Sequence, residues 1–508
     1  MRIKLEESQR TASYIFLISL AIFRLWVMAM PASLWLDETV TYWSVYRGVR
    51  AAIFRSQFWP GQNALFMAIT ASVVRVAGQS EIVARLPSFL AGVAAVYLVF
   101  RLGIHLFDKE SGLLAALVFV SSHELWRTVP TARPYAFALL VSLGSILHLA
   151  QWMDHGRNLN AAGYAVMSAL IPYFHYAFVI CYLVLAIYIL YRLRTGSAVT
   201  WARAMAVSAV IFLLLLPLIW SETHGKHLSP NSLSVWTGTP RLEEFFTAFI
   251  PPVLAGGIFL GMLAGCALGE RSCGGQVPAM MPATKVLLLT WVTVPILTLF
   301  LASELTPFKC FIPRYYMLAF PALALLIGWL IRILPERMRV TMSAGVVLSA
   351  LLSFTGLHLR VAPHAEDWRG AAQAVRAAHL SNDTPVLVRV GLVETSKVTW
   401  DLNISPDSPL LCPLSKYPVP GHVFLLPYRL NSDTSPYLNE LVRKIVQPSA
   451  EFVVIARDER PEVLGWLMQE CSSRGFEASS LGNPSGITVL LYRRRVNASD
   501  QRILTIGN

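Results

Sequence analysis

The sequence predicts a polytopic α-helical membrane protein of about eleven transmembrane helices, with a C-terminal extracytoplasmic α/β domain. Three observations carry that expectation. Only 14% of the 508 residues are charged and 55% are hydrophobic, whereas a soluble globular chain is about 25% charged. The apolar residues gather in runs of roughly 20, the length needed to cross a hydrocarbon core of about 30 Å. Near residue 360 the texture changes, and charged residues and turn formers return. This composition excludes intrinsic disorder and argues against a water-soluble enzyme.

Stretches long and apolar enough to span lie near 12–33, 85–107, 111–129, 134–152, 159–173, 175–192, 203–221, 245–268, 284–302, 314–333 and 339–358. In the 159–192 region, Pro172 and His175 mark either a tight turn or a kink. The stretch 63–78 has a helical pattern but is short and carries Arg75, so it reads as an interfacial helix lying on the membrane. Residues 1–33 have small residues at Met30-Pro31-Ala32-Ser33, as a cleaved signal peptide would. Arg24 inside the apolar run and the ten spans that follow favour an uncleaved first helix instead.

The net charge is +12. Residues 1–359 hold 26 basic and 15 acidic side chains, and residues 360–508 hold 16 and 15. A basic excess confined to the apolar part points to a membrane protein rather than a nucleic-acid binder. Basic residues mark cytoplasmic loops. With the N-terminus inside (Arg2, Lys4, Arg10), the inner loops hold Arg101 and Lys109, then Arg157, then Arg192, Arg194 and Arg203. Arg271 and Lys285 follow, and last Arg332, Arg337 and Arg339. The outer face then receives 34–84, 130–133, the turn near 174, 222–244, 303–313 and the C-terminal segment.

The domain reading follows: 1–359 in the membrane with an outer interfacial loop at 34–84, and 360–508 outside it. In the latter, β-rich runs at Pro385–Val390, His422–Leu426, Phe452–Ala456 and Ile487–Tyr492, with helical spacing over Arg460–Arg474, predict a small α/β domain. Its glycines Gly465, Gly475, Gly482 and Gly486 are scattered and form no phosphate loop, so it reads as an acceptor-binding or capping domain, or as a structural appendage. The six cysteines, Cys181, Cys266, Cys273, Cys310, Cys412 and Cys471, include no CxxC pair, and a structural zinc is not expected. Cys412 and Cys471 would share an oxidising compartment, which leaves a disulfide between them open.

Candidate chemistry begins at Asp37-Glu38, directly after the first span. Carboxylates at an apolar boundary are costly to ionise and so usually have a purpose; a general base needs a carboxylate held where a hydroxyl loses its proton. The plainer reading is a solvated acidic pair at a helix end. Cations on the same outer face shift the balance: Arg85, Arg127, Arg133, Lys309 and Arg314, with His175. Arginine suits bidentate phosphate contacts and lysine acts as a point charge, so the set suits an anionic phosphate headgroup. Any one of them, Arg85 or Arg127 above all, also reads as a residue snorkelling to the headgroups. Glu243-Glu244 reads as a solvated helix N-terminus, and Arg24 and Glu124 as a structural pair.

Residues 34–150 resemble the N-terminal half of the GT-C glycosyltransferases, in the bacterial protein-mannosyltransferase-like and aminoarabinose-transferase-like branch (family 39-like). The matching residues are Leu34-Trp35-Leu36-Asp37-Glu38, an interfacial helix ending at Gly78, Ala84-Arg85-Leu86-Pro87-Ser88 and Thr131-Ala132-Arg133-Pro134-Tyr135. Farther on, Pro313-Arg314-Tyr315-Tyr316 with Pro321 resembles the family's Arg-Tyr motif, and Glu366-Asp367-Trp368-Arg369 the start of its outer domain. Two departures stand out. Members often open the interfacial helix with Pro-Pro-Leu, where this chain has Pro60-Gly61-Gln62-Asn63. Many place Glu where this chain has Thr131, so no carboxylate role is carried over there.

The resemblance implies a polyprenyl-phosphate-linked sugar donor, a hydroxyl acceptor on a lipid, glycan or protein, and an inverting transfer on the outer face of a bacterial cytoplasmic membrane. In that scheme Asp37 is the base and Glu38 orients it or the acceptor. Arg133 holds the lipid phosphate, with Lys309, Arg314, Arg85, Arg127, Tyr135 and His175 in the donor site. No cofactor is expected: the wider superfamily leaves a divalent metal at Asp37-Glu38 open, but two adjacent carboxylates make a poor cage. Two other functions compete. A flippase of lipid-linked sugars would show two related halves with midplane polar sites, and a non-catalytic scaffold would show no carboxylate and cations at one depth.

Overall fold

The computed structural model describes residues 2–58, 64–224, 238–267, 280–307, 309–355, 364, 366–396, 400–457 and 461–495. Pro60–Asn63, Arg271, Cys273 and the expected domain boundary at 359/360 lie outside the described residues. The chain divides into two compact units, Met1–Pro31 with Arg47–Pro363, and Ala32–Tyr46 with His364–Asn508. The segment 32–46, expected in the outer loop of the membrane domain, therefore packs with the C-terminal residues.

The first unit is helical. Seven of its described helices are long and apolar enough to cross a membrane: Ser8–Ala29, Glu81–Leu106, Tyr135–His155, Tyr176–Thr195, Trp201–Ser221, Pro282–Leu305 and Pro313–Arg332. An eighth candidate is the pair Leu242–Phe249 and Pro252–Ala267, bent by 49°. Among the described residues, helix length and composition support seven or eight of the eleven expected spans. The other three expected spans are helical but differ in form. The 111–129 stretch breaks at Ser121-Ser122 into Lys109–Val120 and His123–Thr128. Asn158–Phe174 has 17 residues, and Glu336–Thr355 opens with Glu336, Arg337 and Arg339.

Local chemistry sets the ends. Ser80 Oγ accepts the Val83 N–H and starts the Glu81–Leu106 helix. Asp108 Oδ1 accepts the Ser111 N–H at 2.8 Å and starts Lys109–Val120. The short apolar helix expected at 63–78 is Ala64–Ala77, ended by Gly78 at φ +95°, a left-handed position that favours glycine. The helix before His175 stops at Phe174, and His175 is extended, so that region is a turn rather than a kink. Tyr135–His155 is the most buried of the seven spans, and Tyr135, which opens it, is itself buried.

The second unit contains five strands: β1 (Pro385–Arg389), β2 (His422–Leu425), β3 (Glu451–Arg457), β4 (Phe476–Gly482) and β5 (Ile487–Arg494). Their order is β2-β1-β3-β5-β4. β1 runs parallel to β2 and β3, and β5 antiparallel to β3 and β4. The central strands are continuous apolar runs, as a sheet covered on both faces requires. β4 was not expected: it is an edge strand, and its residues Glu477 to Ser480 are exposed and lack an apolar alternation. The Pro461–Ser473 helix falls where its periodicity predicts. Cys471 lies in the apolar core with Leu387, Val454 and Leu467. Cys412 and Cys471 are free thiols, so the open disulfide is not formed.

Candidate active site

Asp37 and Glu38 lie in the first turn of the Leu36–Val45 helix, whose ten residues are all buried. Ala32–Tyr46 is held by the second unit. The Leu34 N–H donates to Tyr417 Oη at 2.9 Å, and the Arg369 N–H to Ser33 Oγ at 3.1 Å. Trp43 Nε1 donates to the Asp407 carbonyl, and Tyr46 Oη to the Asp407 carboxylate at 2.7 Å. Trp35 stacks on His364 with centroids 3.9 Å apart. The Glu366-Asp367-Trp368-Arg369 run secures both sides: Glu366 Oε2 accepts the Leu36 N–H at 2.9 Å, and Asp367 caps the Trp368–Ala377 helix.

The two acidic residues differ in what they touch. Glu38 is wholly buried, and its Oε2 accepts the Trp35 N–H at 3.3 Å, which ties the helix start in the manner of a capping-box glutamate. Asp37 is 9% exposed. Its charge acts on three buried groups, Glu366, Glu394 and Cys412. Burial holds the Glu366 carboxyl above the usual carboxylate range, and Asp37 adds to that, while Arg457 and the Leu36 N–H oppose it. Arg457 Nη2 pairs with Glu366 Oε1 at 2.8 Å. Burial likewise raises Glu394, with Asp37 adding to it. Burial pushes the Cys412 thiol far up, which makes it a poor nucleophile; its sulfur meets Thr39 Oγ1 at 3.4 Å.

The expected donor-site residues separate into two kinds within the first unit. Arg133, Arg314, Tyr135 and His175 come together. The Arg133 guanidinium lies 5.7 Å and that of Arg314 5.9 Å from the Tyr135 ring centroid, and Arg314 is also 5.7 Å from the Tyr315 ring. His175 packs on Tyr135 at 4.8 Å and on Tyr315 at 5.4 Å. The Arg133 backbone is fixed by a tight bond from its N–H to the Thr131 carbonyl and by Ser88 Oγ donating to its carbonyl, both at 2.7 Å. His175 Nδ1 accepts the Ala177 N–H. Two guanidinium groups thus lie beside one phenol ring.

Two of the other three cations engage the backbone. Arg85 is fully buried, and its Nη1 donates to the Met30 carbonyl at 2.7 Å and that of Ala29 at 3.4 Å, at the end of the first span. Lys309 Nζ donates to the Ser303 and Thr306 carbonyls at the C-terminal end of Pro282–Leu305, where a cation also meets the negative end of the helix dipole. Arg127 is exposed on the His123–Thr128 helix. Glu124 pairs with His123 at 3.9 Å, and Arg24 Nη1 faces Met28 Sδ on its own helix, so the expected Arg24–Glu124 pair is not formed. Glu244 Oε2 accepts the Arg241 N–H, in keeping with a helix start.

Four residues of this neighbourhood escaped the sequence: Glu394, Arg457, Cys412 and Tyr417. Each is a single polar or small residue in a mixed segment, and only the tertiary packing of 32–46 reveals it.

The family described as dolichyl-phosphate-mannose-protein mannosyltransferase matches residues 63–220 of this chain. No curated protein matches it. The fold is that of ArnT from Cupriavidus metallidurans. The apo crystal structure of that protein superposes with a TM-score of 0.59 at 10% identity, over 95% of this chain and 98% of that one. Its crystal structure bound to undecaprenyl phosphate gives 0.57 at 11% identity, with the same coverage. This chain thus shares the fold of that protein, and its residues 63–220 resemble the mannosyltransferase family.

Proposed function

We propose that the chain is an inverting glycosyltransferase that moves a sugar from a polyprenyl-phosphate donor to a hydroxyl acceptor, at the outer face of a bacterial cytoplasmic membrane. In this reading residues 1–359 form the membrane domain, with the N-terminus inside, and 360–508 lie outside. The observation that carries the reading is the pair Arg133 and Arg314 on Tyr135, in a fold shared with a protein solved with undecaprenyl phosphate bound.

The chemistry assigns each group a task. The acceptor oxygen attacks the anomeric carbon on the face opposite the phosphate, and Asp37 takes its proton. The bond from the anomeric carbon to the phosphate oxygen breaks, and its electron pair leaves on the polyprenyl phosphate. Arg133 and Arg314 balance the charge that develops there, the type of stabilisation that weighs most in such transfers. Lys309, on the Ser303 and Thr306 carbonyls, stands apart from that pair, and Glu38 keeps the Asp37 turn in place. A single positioned acid–base group contributes about 10²–10⁴-fold in rate. Asp37→Asn in the purified protein should therefore lose about that much polyprenyl phosphate release while melting like wild type. Near-normal release by that variant would overturn the assignment, and movement of intact donor between leaflets would identify a flippase instead.

A further inference from the structure

At the far end of the first unit lies a cavity of about 300 Å³, lined by Arg10, Thr11, Tyr14, Asp108, Lys109, Glu110, Leu113 and Arg332. The span Pro313–Arg332 connects it to the cluster described above. Arg314 stands near one end of that span and Arg332 closes the other. Eighteen residues at about 1.5 Å each separate them by roughly 27 Å, close to the thickness of a hydrocarbon core. In a bilayer crossed by this span the cavity would lie at the headgroup level of the leaflet opposite Arg314.

Its charges are unevenly engaged. Both acids are already held: Asp108 Oδ1 by the Ser111 N–H, and Glu110 by Arg339 at 2.7 Å, Arg332 at 3.1 Å and Tyr14 Oη at 3.3 Å. Arg10 reaches Glu336 at 3.4 Å. Lys109, exposed at the rim, makes no hydrogen bond or ion pair among the described residues. It also opens the 12-residue Lys109–Val120 helix, whose N-terminal dipole favours an anion. Beside Tyr14 the first span exposes Ile15, Phe16, Leu20 and Phe23, an apolar face along which an acyl chain can lie. Of the three cations around the cavity, Arg10 and Arg332 are ion-paired, Arg332 with Asp108 at 3.4 Å as well as with Glu110. Among the described residues Lys109 is thus the one left to meet a phosphodiester beside a lipid-facing helix, and basic pockets between transmembrane helices bind such headgroups.

We propose that this cavity binds the phosphodiester headgroup of an anionic phospholipid, with Lys109 as the direct contact and Arg10 and Arg332 flanking the phosphate. The site is separate from the donor-phosphate cluster and does not depend on the reaction proposed for it.

The test uses the full-length protein, delipidated in detergent and titrated with phosphatidylglycerol, phosphatidylcholine or inorganic phosphate, reading thermal stability and lipid retention by native mass spectrometry. Phosphatidylglycerol should bind and raise the melting temperature, and the other two should not. Lys109→Glu should weaken phosphatidylglycerol binding about tenfold, replacing an attraction with a repulsion. Arg194→Glu, the same charge change on another exposed helix end, should leave binding unchanged. The proposal is overturned if phosphatidylcholine binds equally, if inorganic phosphate reproduces the full stabilisation, or if Arg194→Glu weakens binding as much as Lys109→Glu. Unchanged phosphatidylglycerol binding by Lys109→Glu would overturn it as well.

Discussion

The backbone N–H of Leu36 donates to Glu366 Oε2 at 2.9 Å, although 330 positions separate them in sequence. Through this bond the residue after the first span and the first described residues of the C-terminal segment hold one helix start. The other oxygen of Glu366 pairs with Arg457 at 2.8 Å, and the pair is largely buried. Removing one partner of a buried ion pair costs about 3–5 kcal/mol, because the other charge stays behind uncompensated. Glu366→Ala should therefore lower thermal stability markedly, and it should loosen the Asp37 turn. Glu366→Gln keeps an oxygen for the Leu36 N–H but not the charge, so it should fall between Ala and wild type. Melting curves of the three proteins check the order; a Gln variant no more stable than Ala would remove the role given to the Leu36 bond.

That relationship also shows where sequence reading stopped. The spans, the short helix ending at Gly78 and four of the five strands follow from runs of apolar residues, which are local signals. β4 escaped because an edge strand with an exposed Glu-Ala-Ser-Ser run has no apolar face to register. The membership of 32–46 in the second unit escaped because it rests on single contacts with Glu366, Asp407 and Tyr417, each hundreds of residues away. Among the outer cations, sequence grouped Arg85, Lys309, Arg133 and Arg314 by depth alone. It could not distinguish a guanidinium on a helix-end carbonyl from one beside an aromatic ring, since that depends on where neighbouring helices end.

Arg85 and Arg133 should accordingly separate in assay. Arg85 bonds the carbonyls of Ala29 and Met30, and hydrogen bonds of a charged group contribute about 1.5–3 kcal/mol each when buried. Arg85→Met should lower the melting temperature, with the surviving folded protein retaining donor KM. Arg133→Met should melt nearly as wild type but lose about 10²–10³-fold in kcat, the loss seen when one charge-stabilising donor is removed. Steady-state kinetics on both variants, corrected for the folded fraction, tests the split. Equal kinetic losses would mean that both arginines serve the donor.

Glu394 should make the second unit sensitive to pH. Burial and the charge of Asp37 hold its carboxyl above the usual range, so the folded chain binds this proton more tightly than the unfolded chain. The stabilisation is fully present below the ordinary carboxylate range and is lost as pH rises through the raised value. Glu366 is shifted in the same direction and adds to the slope. Glu394→Gln removes one of the two contributions, so its melting temperature should fall less steeply between mildly acidic and neutral pH. Parallel pH profiles for variant and wild type would show that Glu394 does not carry this linkage.

The helices Pro252–Ala267 and Glu336–Thr355 approach so closely that glycine is needed on both sides. A Cβ built on Gly257 would lie 2.7 Å from Val346 Cα and 2.9 Å from the Gly345 carbonyl oxygen, and Gly261 and Gly345 are equally crowded by the facing backbone. Backbone atoms cannot rotate away as a side chain would, so the helices must separate. Overpacking costs typically about 1–3 kcal/mol, and a contact made only of small residues depends on close backbone approach. Gly257→Val should therefore lower the melting temperature by several degrees. Gly256→Val, whose added Cβ would meet only Ser349 Oγ at 3.8 Å, is the matched control and should melt close to wild type. If both variants melted alike, the close approach would not be limiting stability.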